Sequence, residues 1–143
     1  MQISRLLDRK GSFVAAIHSS APIIDAVREL DKRGIGALVI SDDGKTIAGI
    51  VSERDVVRVI SQFGTAILDS PVEMIMSRGV RTCSPNDTIE SLMSTMTEHR
   101  IRHVPVTEAG VLVGIVSIGD VVKNRLDELE RDRDALEQYI TAR

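Results

Sequence analysis

Two pairs of serine and aspartate, each three residues apart, carry the clearest chemistry in this sequence. They are Ser52 with Asp55 in GIVSERDVVR and Ser117 with Asp120 in GIVSIGDVVK, two phrases that agree at seven of ten positions. Each pair stands where an apolar strand pattern gives way to a helical one, and the free amides and dipole of a helix N-terminus favour an anion. The serine adds a hydroxyl donor, and a carboxylate one turn further, roughly 5–6 Å away, suits the vicinal hydroxyls of a ribose because it only accepts hydrogen bonds. The spacing therefore fits a nucleotide.

The same pairs also have a purely structural interpretation. Serine and an acid three residues later form a capping box, in which each side chain accepts the backbone amide of the other residue. The phrase in isolation leaves both interpretations open. Gly49 and Gly114, which begin the two phrases, would let a strand approach a base closely, although a glycine in a strand is equally typical of a bulge.

The repeat extends well beyond these phrases. The segment 23–40 aligns with 89–106 at an offset of 66, and one residue fewer in the second hairpin loop restores the offset of 65 between the phrases. The apolar residues of two lead-in segments also correspond, Ile3, Leu6 and Leu7 with Val72, Ile75 and Met76. A duplicated half-chain unit is the economical explanation. Because a unit of this size alone buries little surface, two such units sharing a core are favoured.

Each unit is predicted to have the element order β-α-β-β-α. In the first unit the patterns indicate a strand over 14–17, a helix over 22–33, a hairpin with strands over 36–41 and 46–52, and a helix that Ser52 opens. In the second unit they indicate a strand over 80–83, a helix over 88–99, strands over 103–107 and 111–117, and a helix from Ile118.

Apolar residues at helical spacing should face inward. They are Ile23, Ala26, Val27 and Leu30 in the first unit and Ile89, Leu92, Met93 and Met96 in the second. Such small sheets each leave one apolar face uncovered. The expected fold is therefore α/β (α+β), with two units packed sheet to sheet about a pseudo-twofold axis and a long C-terminal helix.

Composition argues against several classes of partner. The net charge of −3 gives no basic surface for a nucleic-acid backbone, and two Phe with one Tyr give no stacking platform for bases. The opening MQISRLLDRKGS has no apolar stretch of signal-peptide length, and nowhere do eighteen apolar residues run together. We expect a cytoplasmic protein that binds neither nucleic acid nor membrane.

Two GIVSxxDVV phrases, each after a β-α-β-β pattern, together with RIRHVPV in the second half, resemble a tandem pair of cystathionine-β-synthase (CBS) domains over nearly the whole chain. The likeness is closest to stand-alone bacterial CBS-pair proteins, whose second unit similarly reads SIGDxVK. The resemblance implies a disc-like Bateman module that often dimerises, regulates rather than catalyses, and binds AMP, ADP, ATP, NAD(H) or S-adenosylmethionine in clefts between the units. The expected divisions are 1–70, 71–125 and a helical extension over 126–143.

The resemblance also assigns roles to individual residues. The ribose-binding acid falls on Asp55 and Asp120, and the phosphate-binding hydroxyl on Ser52 and Ser117. The adenine contacts fall on Ala16, Ile17 and Ile50 in one unit and on Thr82, Cys83 and Ile115 in the other. The basic pair before VPV is Arg102 and His103, and the further phosphate candidates are Arg54, Arg58 and Lys123.

The two clefts should not be equivalent. Gly36 and Ala37 stand in the first unit where the second has Arg102 and His103, and Val39 stands where the family has a proline. Since alternate residues of a strand face opposite ways, one of Arg102 and His103 should reach a phosphate directly.

Other chemically suggestive residues have plainer explanations. His99 and His103 are four apart, but the first should end a helix and the second lie on a strand, so no metal site is expected. Cys83 has no partner for an internal disulfide and should be a small buried hydrophobe. The methionines at 74, 76, 93 and 96 should fill the core.

The tail carries an apolar stripe interrupted by Arg133, made up of Val122, Leu126, Leu129, Leu136 and Ile140. The stripe would lie along its own module or pair with the same helix of a second chain, and we favour a homodimer.

Three functions remain at this point. The favoured one is a sensor that binds an adenine nucleotide, requires no cofactor and acts on an unknown protein target. The second is an adaptor that kept the fold and lost the ligand. The third is an enzyme using His103 and Asp120 on a bound nucleotide, for which the sequence offers no nucleophile with a base and no P-loop spacing.

Overall fold

The duplicated order of helix, hairpin and helix is present in the computed structural model, which describes residues Met1–Ala142. The first half contains α1 (Ile3–Lys10), β1 (Ala16–Ile17), α2 (Ile23–Arg33), β2 (Ala37–Ile40), β3 (Gly49–Ser52) and α3 (Glu53–Phe63). Two short 3-10 helices, Thr65–Asp69 and Val72–Met74, lead to the second half. That half contains α4 (Ile89–His99), β4 (His103–Glu108), β5 (Val111–Ser117) and α5 (Ile118–Thr141). The predicted α/β architecture with a long closing helix is confirmed.

Both hairpins form where the sequence predicted them. In the first unit β1 pairs in parallel with β2, and β2 pairs antiparallel with β3, with Leu38 opposite Val51. In the second unit β4 pairs antiparallel with β5, with Val104 opposite Val116 and a bulge after Val106. The alternating apolar residues of these strands supply the centre of each core.

The predicted first strands are largely wrong. Instead of 14–17, only Ala16 and Ile17 form a strand, and instead of a strand over 80–83 only Cys83 makes a single bridge, with Val106. Before Cys83 the chain pairs with the other unit. Ser77 and Ile50 of β3 form two backbone hydrogen bonds with each other, at 2.9 and 3.1 Å. Ser77, three residues before the predicted strand, therefore connects the second lead-in segment to the hairpin of the first unit.

Each lead-in segment is buried in the core of the other unit. Ile3, Leu6 and Leu7 of α1 are buried in the cluster of the second unit, and Val72 and Met76 are buried in the cluster of the first. A glycine in each hairpin makes room for this exchange: a Cβ at Gly114 would lie 2.8 Å from Leu7 Cδ2, and a Cβ at Gly49 would lie 2.6 Å from Met76 Sδ. Leu7 and Met76 are therefore structurally equivalent, and each ties one half of the chain to the other.

The prediction that four methionines fill the core is half right. Met76 and Met96 are buried, whereas Met74 is 65% and Met93 is 40% exposed. The inward set predicted for α4 is therefore wrong at Met93 and right at Ile89, Leu92 and Met96. Met93 lies one residue after Leu92, so it turns to the flank of the helix and away from the sheet.

The closing helix α5 extends past the second unit. Near its start Val121 and Asn124 are buried, but the apolar stripe predicted for the tail is between 49% and 66% exposed at Val122, Leu126, Leu129, Leu136 and Ile140. Within residues 1–142 no helix is long and apolar enough to cross a membrane.

Candidate functional site

Both predicted capping boxes are formed. The Ser52 amide donates to Asp55 Oδ2 at 2.8 Å, and the Asp55 amide donates to Ser52 Oγ at 3.3 Å. The Ser117 amide donates to Asp120 Oδ2 at 2.8 Å, and the Asp120 amide donates to Ser117 Oγ at 3.1 Å. The structural interpretation of the repeated phrase is therefore correct for both helices. A ligand would have to bind groups that the capping boxes leave without hydrogen bonds.

The first capping box leaves one oxygen of the Asp55 carboxylate without a hydrogen bond, beside a large cleft. Asp55 Oδ2 takes both the amide and the hydroxyl of Ser52, while Oδ1 faces only the Arg58 guanidinium at 3.8 Å. The cleft beside it measures about 910 Å³, within the size range of small-molecule sites. Its lining residues come from four segments: 36–37, 50–58, 77–81 and 99–103. The first unit, the segment 77–81 that connects the two units (the connecting segment) and the second unit thus form one site together.

The cleft is strongly basic on an acidic chain. Of the described residues, six arginines line it, at positions 54, 58, 78, 81, 100 and 102, against two acids, Glu53 and Asp55. Six minus two gives a net charge of +4 with the histidines neutral. Within residues 1–142 only Arg58 among these arginines lies within ion-pair distance of a carboxylate. The others are available for an anion, and converging guanidinium groups are well suited to phosphate oxygens.

The structure brings together seven of the fifteen residues that the sequence analysis selected. Seven of them line the cleft: Ile50, Ser52, Arg54, Asp55, Arg58, Arg102 and His103. Arg102 and His103 therefore face the box of the opposite unit. The remaining candidates stand apart from this lining: Ala16, Ile17, Thr82, Cys83, Ile115, Ser117, Asp120 and Lys123.

Sequence reasoning missed several cleft residues. Arg78, Gly79, Val80 and Arg81 belong to the connecting segment, and Arg100 follows the last residue of α4. The signal that could have found Arg78 and Arg81 is their position directly after the second lead-in, where Met76 is the counterpart of Leu7. Arg100 adopts φ 53°, a left-handed conformation usual for glycine at a helix end, which aims this segment at the cleft.

His103 lies between the two capping boxes. Its ring packs beside Gly36, where a Cβ would lie 3.2 Å from His103 Cε1, and Glu53 Oε1 is also within 4 Å of that position. Burial lowers the pKa of His103, partly opposed by the Asp120 carboxylate, and the pKa stays below its ordinary value. The imidazole is therefore neutral at pH 7, as a donor and acceptor without a charge.

The second box is arranged differently. Lys10 Nζ donates to Asp120 Oδ2 at 2.5 Å and to the carbonyl of Ile115 at 2.7 Å. Burial of Asp120 acts to raise its pKa, but the hydrogen bond from Lys10 and the Ser117 amide outweigh burial and keep the pKa below its ordinary value. The carboxylate that the sequence analysis assigned to a ribose thus already holds an ammonium group.

Cys83, His99 and His103 lie on separate elements. Cys83 is half-buried, its Sγ lies 3.8 Å from the Pro105 carbonyl, and burial raises its pKa to about 11, so the thiol is protonated at pH 7. His99 ends α4 and His103 begins β4, as predicted. In the described part of the chain, no three or more His, Cys, Asp or Glu residues come together as a metal site would need.

Comparison with known proteins gives two matches to one family model. The model described as "CBS domain" matches residues 12–62 and again residues 72–127. A mitochondrial CBS domain-containing protein of Arabidopsis thaliana is 35% identical over 122 residues, which are 82% of this chain and 59% of the plant protein. The chain thus spans a little over half the length of that relative.

Two solved structures extend the likeness to the fold. A CBS-domain containing protein from Agrobacterium tumefaciens is 44% identical with a TM-score of 0.84, covering 87% of this chain and 99% of that one. A CBS domain protein from Pyrobaculum aerophilum, crystallised in complex with AMP, is 32% identical with a TM-score of 0.74, covering 84% of this chain and 89% of that one.

Proposed function

This chain belongs to the CBS domain family as a tandem pair, and on that premise we propose that it is a regulatory module that binds an anionic adenine nucleotide in the cleft beside Ser52 and Asp55. The observation that carries the proposal is the convergence of that box with six arginines from both units and the connecting segment. A related CBS domain protein binds AMP, which supports a nucleotide of this class.

Different residues of the cleft would bind the ribose, the base and the phosphates. Asp55 Oδ1, which the cap leaves without a hydrogen bond, would accept the ribose hydroxyls. The base would lie against Ile50 and Val80, both in the lining, and the arginines would bind the phosphates. A cleft charge of +4 favours ATP over ADP and ADP over AMP, and disfavours S-adenosylmethionine, whose sulfonium is a cation.

The proposed mode of action is binding without catalysis. A nucleotide that spans residues of both units, such as Arg54 and Arg102, would hold the units in one arrangement. To act as a signal the ligand must favour one of two arrangements over the other. We also propose that the protein is cytoplasmic, a compartment that contains adenine nucleotides, and that it acts on a separate protein partner. The enzyme hypothesis gains nothing from the structure, because Asp120 is already paired with Lys10.

Ligand-dependent thermal unfolding tests the proposal. Protein stripped of carried-over ligand should unfold at a higher temperature with millimolar ATP, less so with ADP, AMP or NAD(H), and not with GMP or S-adenosylmethionine. A ligand at about 100 times its dissociation constant adds roughly 2.7 kcal/mol to the free energy of unfolding. If no nucleotide shifts the midpoint, the boxes are helix caps alone and the adaptor hypothesis takes precedence.

The exposed stripe of α5 supports a homodimer. Five apolar residues on one helical face lie largely in solvent in the single chain, an arrangement typical of helices that pair with a partner of the same kind. We propose that α5 pairs with α5 of a second chain. Such pairing would couple two nucleotide clefts through one assembly.

Substitutions on α5 test the dimer. Leu129→Arg combined with Leu136→Arg places two charges in the stripe and should convert the protein to a monomer in sedimentation velocity runs. Gln138→Arg, which lies on the opposite face of the same helix, is the matched control and should leave the dimer intact. A wild-type protein that sediments as a monomer, or a double variant that stays dimeric, would contradict this pairing.

A further inference from the structure

We propose that Lys10 is a built-in occupant of the second cleft, so that the chain binds one nucleotide and the Ser117 and Asp120 site opens to a second nucleotide only when the Lys10 side chain is removed. The inference rests on the proposed function, since it assumes that a box of this kind binds a nucleotide. It explains why two nearly identical phrases would give two unequal sites.

The position of Lys10 follows from the exchange of the lead-in segments. Leu7 packs on Gly114 as Met76 packs on Gly49, so Leu7 and Met76 are equivalent. Three residues beyond Leu7 stands Lys10, and three residues beyond Met76 stands Gly79. Lys10 and Gly79 therefore match in their count from the packed residue, although Lys10 is the last residue of α1 and Gly79 follows the bridge between Ser77 and Ile50.

Gly79 leaves the first cleft open. It lines that cleft, and a Cβ at this position would find no other atom within 4 Å. Its φ of +61° is also unfavourable for other residues. Both the missing side chain and the backbone conformation preserve free space beside Ser52 and Asp55.

Lys10 does the opposite at the second capping box. Its ammonium bridges Asp120 Oδ2 and the Ile115 carbonyl, which are the acid and the strand residue that correspond to Asp55 and Ile50. Its side chain is only 27% exposed, so it is held in place against the protein. Lys10 shares Oδ2 with the cap, so it would oppose a ribose by neutralising the carboxylate and by filling the space between Asp120 and the Ile115 carbonyl.

The pKa of Asp120 agrees with the proposal that Lys10 occupies the second site. Asp120 has a pKa below its ordinary value although burial acts to raise it, and the hydrogen bond from Lys10 is the largest opposing cause. The groups that face the pair are the Ser117 amide at the end of β5 and the neutral ring of His103 on β4. Lys10 therefore neutralises the carboxylate that a ribose would otherwise approach.

Calorimetric titration with ATP counts the open sites. The stripped wild-type protein should bind one ATP per chain, and Lys10→Ala should bind two. Lys10→Gly, which copies the residue of the first cleft, is a second opening variant in case the alanine protein folds poorly. Arg9→Ala removes the neighbouring charge, which touches neither box, and should keep one site.

Second variants identify the sites. Lys10→Ala with Asp120→Ala should return to one ATP, and Lys10→Ala with Asp55→Ala should keep only the newly opened site. Two sites in the wild type, or one site in both folded Lys10 variants, would overturn the inference. No binding by the wild type but one ATP in Lys10→Ala would keep the inference and reject the first-cleft proposal, and no binding by either protein would reject both.

Discussion

Replacing Asp55 by alanine should weaken ATP binding about 100-fold or more. The carboxylate would accept two ribose hydroxyls, and a hydrogen bond to a charged group contributes about 1.5–3 kcal/mol, so two of them give at least about 3 kcal/mol. Each 1.4 kcal/mol is a tenfold change in the dissociation constant, which titration calorimetry measures directly. The arginines would remain, so residual binding should become more sensitive to salt.

Asp120→Ala is the matched control for this change. It removes the same side chain from the same kind of capping box, so both variants keep the serine cap and lose the carboxylate's hydrogen bond to the serine amide, at a cost of about 1 kcal/mol in the free energy of unfolding. Because Asp120 is held by Lys10, its loss should change the ATP dissociation constant by less than about threefold. Equal weakening by both variants, or weakening by Asp120→Ala alone, would contradict the assignment of the site to the first cleft.

Replacing Gly49 by alanine should destabilise the protein by about 2–3 kcal/mol, at the upper end of the range for overpacking. The new Cβ would lie 2.6 Å from Met76 Sδ, 2.7 Å from Met76 Cγ and 2.8 Å from the Ser77 carbonyl oxygen. A methionine side chain could turn aside, but the Ser77 backbone cannot yield easily because it exchanges two hydrogen bonds with Ile50. The measurement is the free energy of unfolding from urea denaturation.

Gly114→Ala provides the comparison. Its Cβ would meet only the side chain of Leu7, with Cδ2 at 2.8 Å and Cδ1 at 3.0 Å, and no backbone atom among its three nearest neighbours. A rotation of Leu7 relieves that contact, so the cost should be about 1 kcal/mol, near the lower end of the same range. Should Gly114→Ala prove as destabilising as Gly49→Ala, the special role given to the Ser77 backbone would be wrong.

The features that depend on local sequence were predictable. The boxes at Ser52 and Ser117 involve residues three apart, so the spacing alone determines that the caps can form. The hairpins depend on neighbouring strands joined by short turns, and the duplication doubled that evidence. The helices followed from apolar spacing, with an error at Met93, where a hydrophobic residue lies on the flank of α4.

The features that depend on contacts between the units were not predictable in the same way. The matching lead-ins were visible as a pattern, but a pattern does not say which core receives Leu7 and which receives Met76. Because those segments exchange, the cleft of the first unit is completed by residues of the connecting segment and the second unit. Arg78 and Arg81 were therefore missed, and Ala16 and Ile17 were assigned to a cleft that they do not line.

The difference between the two clefts was predicted from Arg102 and His103, which have Gly36 and Ala37 as counterparts. All four residues line the first cleft, and His103 also lies near Asp120 and Lys10. The structure adds a difference at the boxes, where Lys10 holds Asp120 and Gly79, at the same count after Met76, has no side chain. A three-residue change of offset between the lead-ins and the first helices hides that correspondence in the sequence.

A crystal structure of the stripped protein with ATP tests the central claim most directly. The account predicts one nucleotide per chain, with its ribose hydroxyls on the Asp55 carboxylate, its phosphates among the arginines of the first cleft, and Lys10 still bound to Asp120. ATP seated at Asp120 with the first cleft empty, or a first cleft that stays empty at saturating ATP, would contradict it.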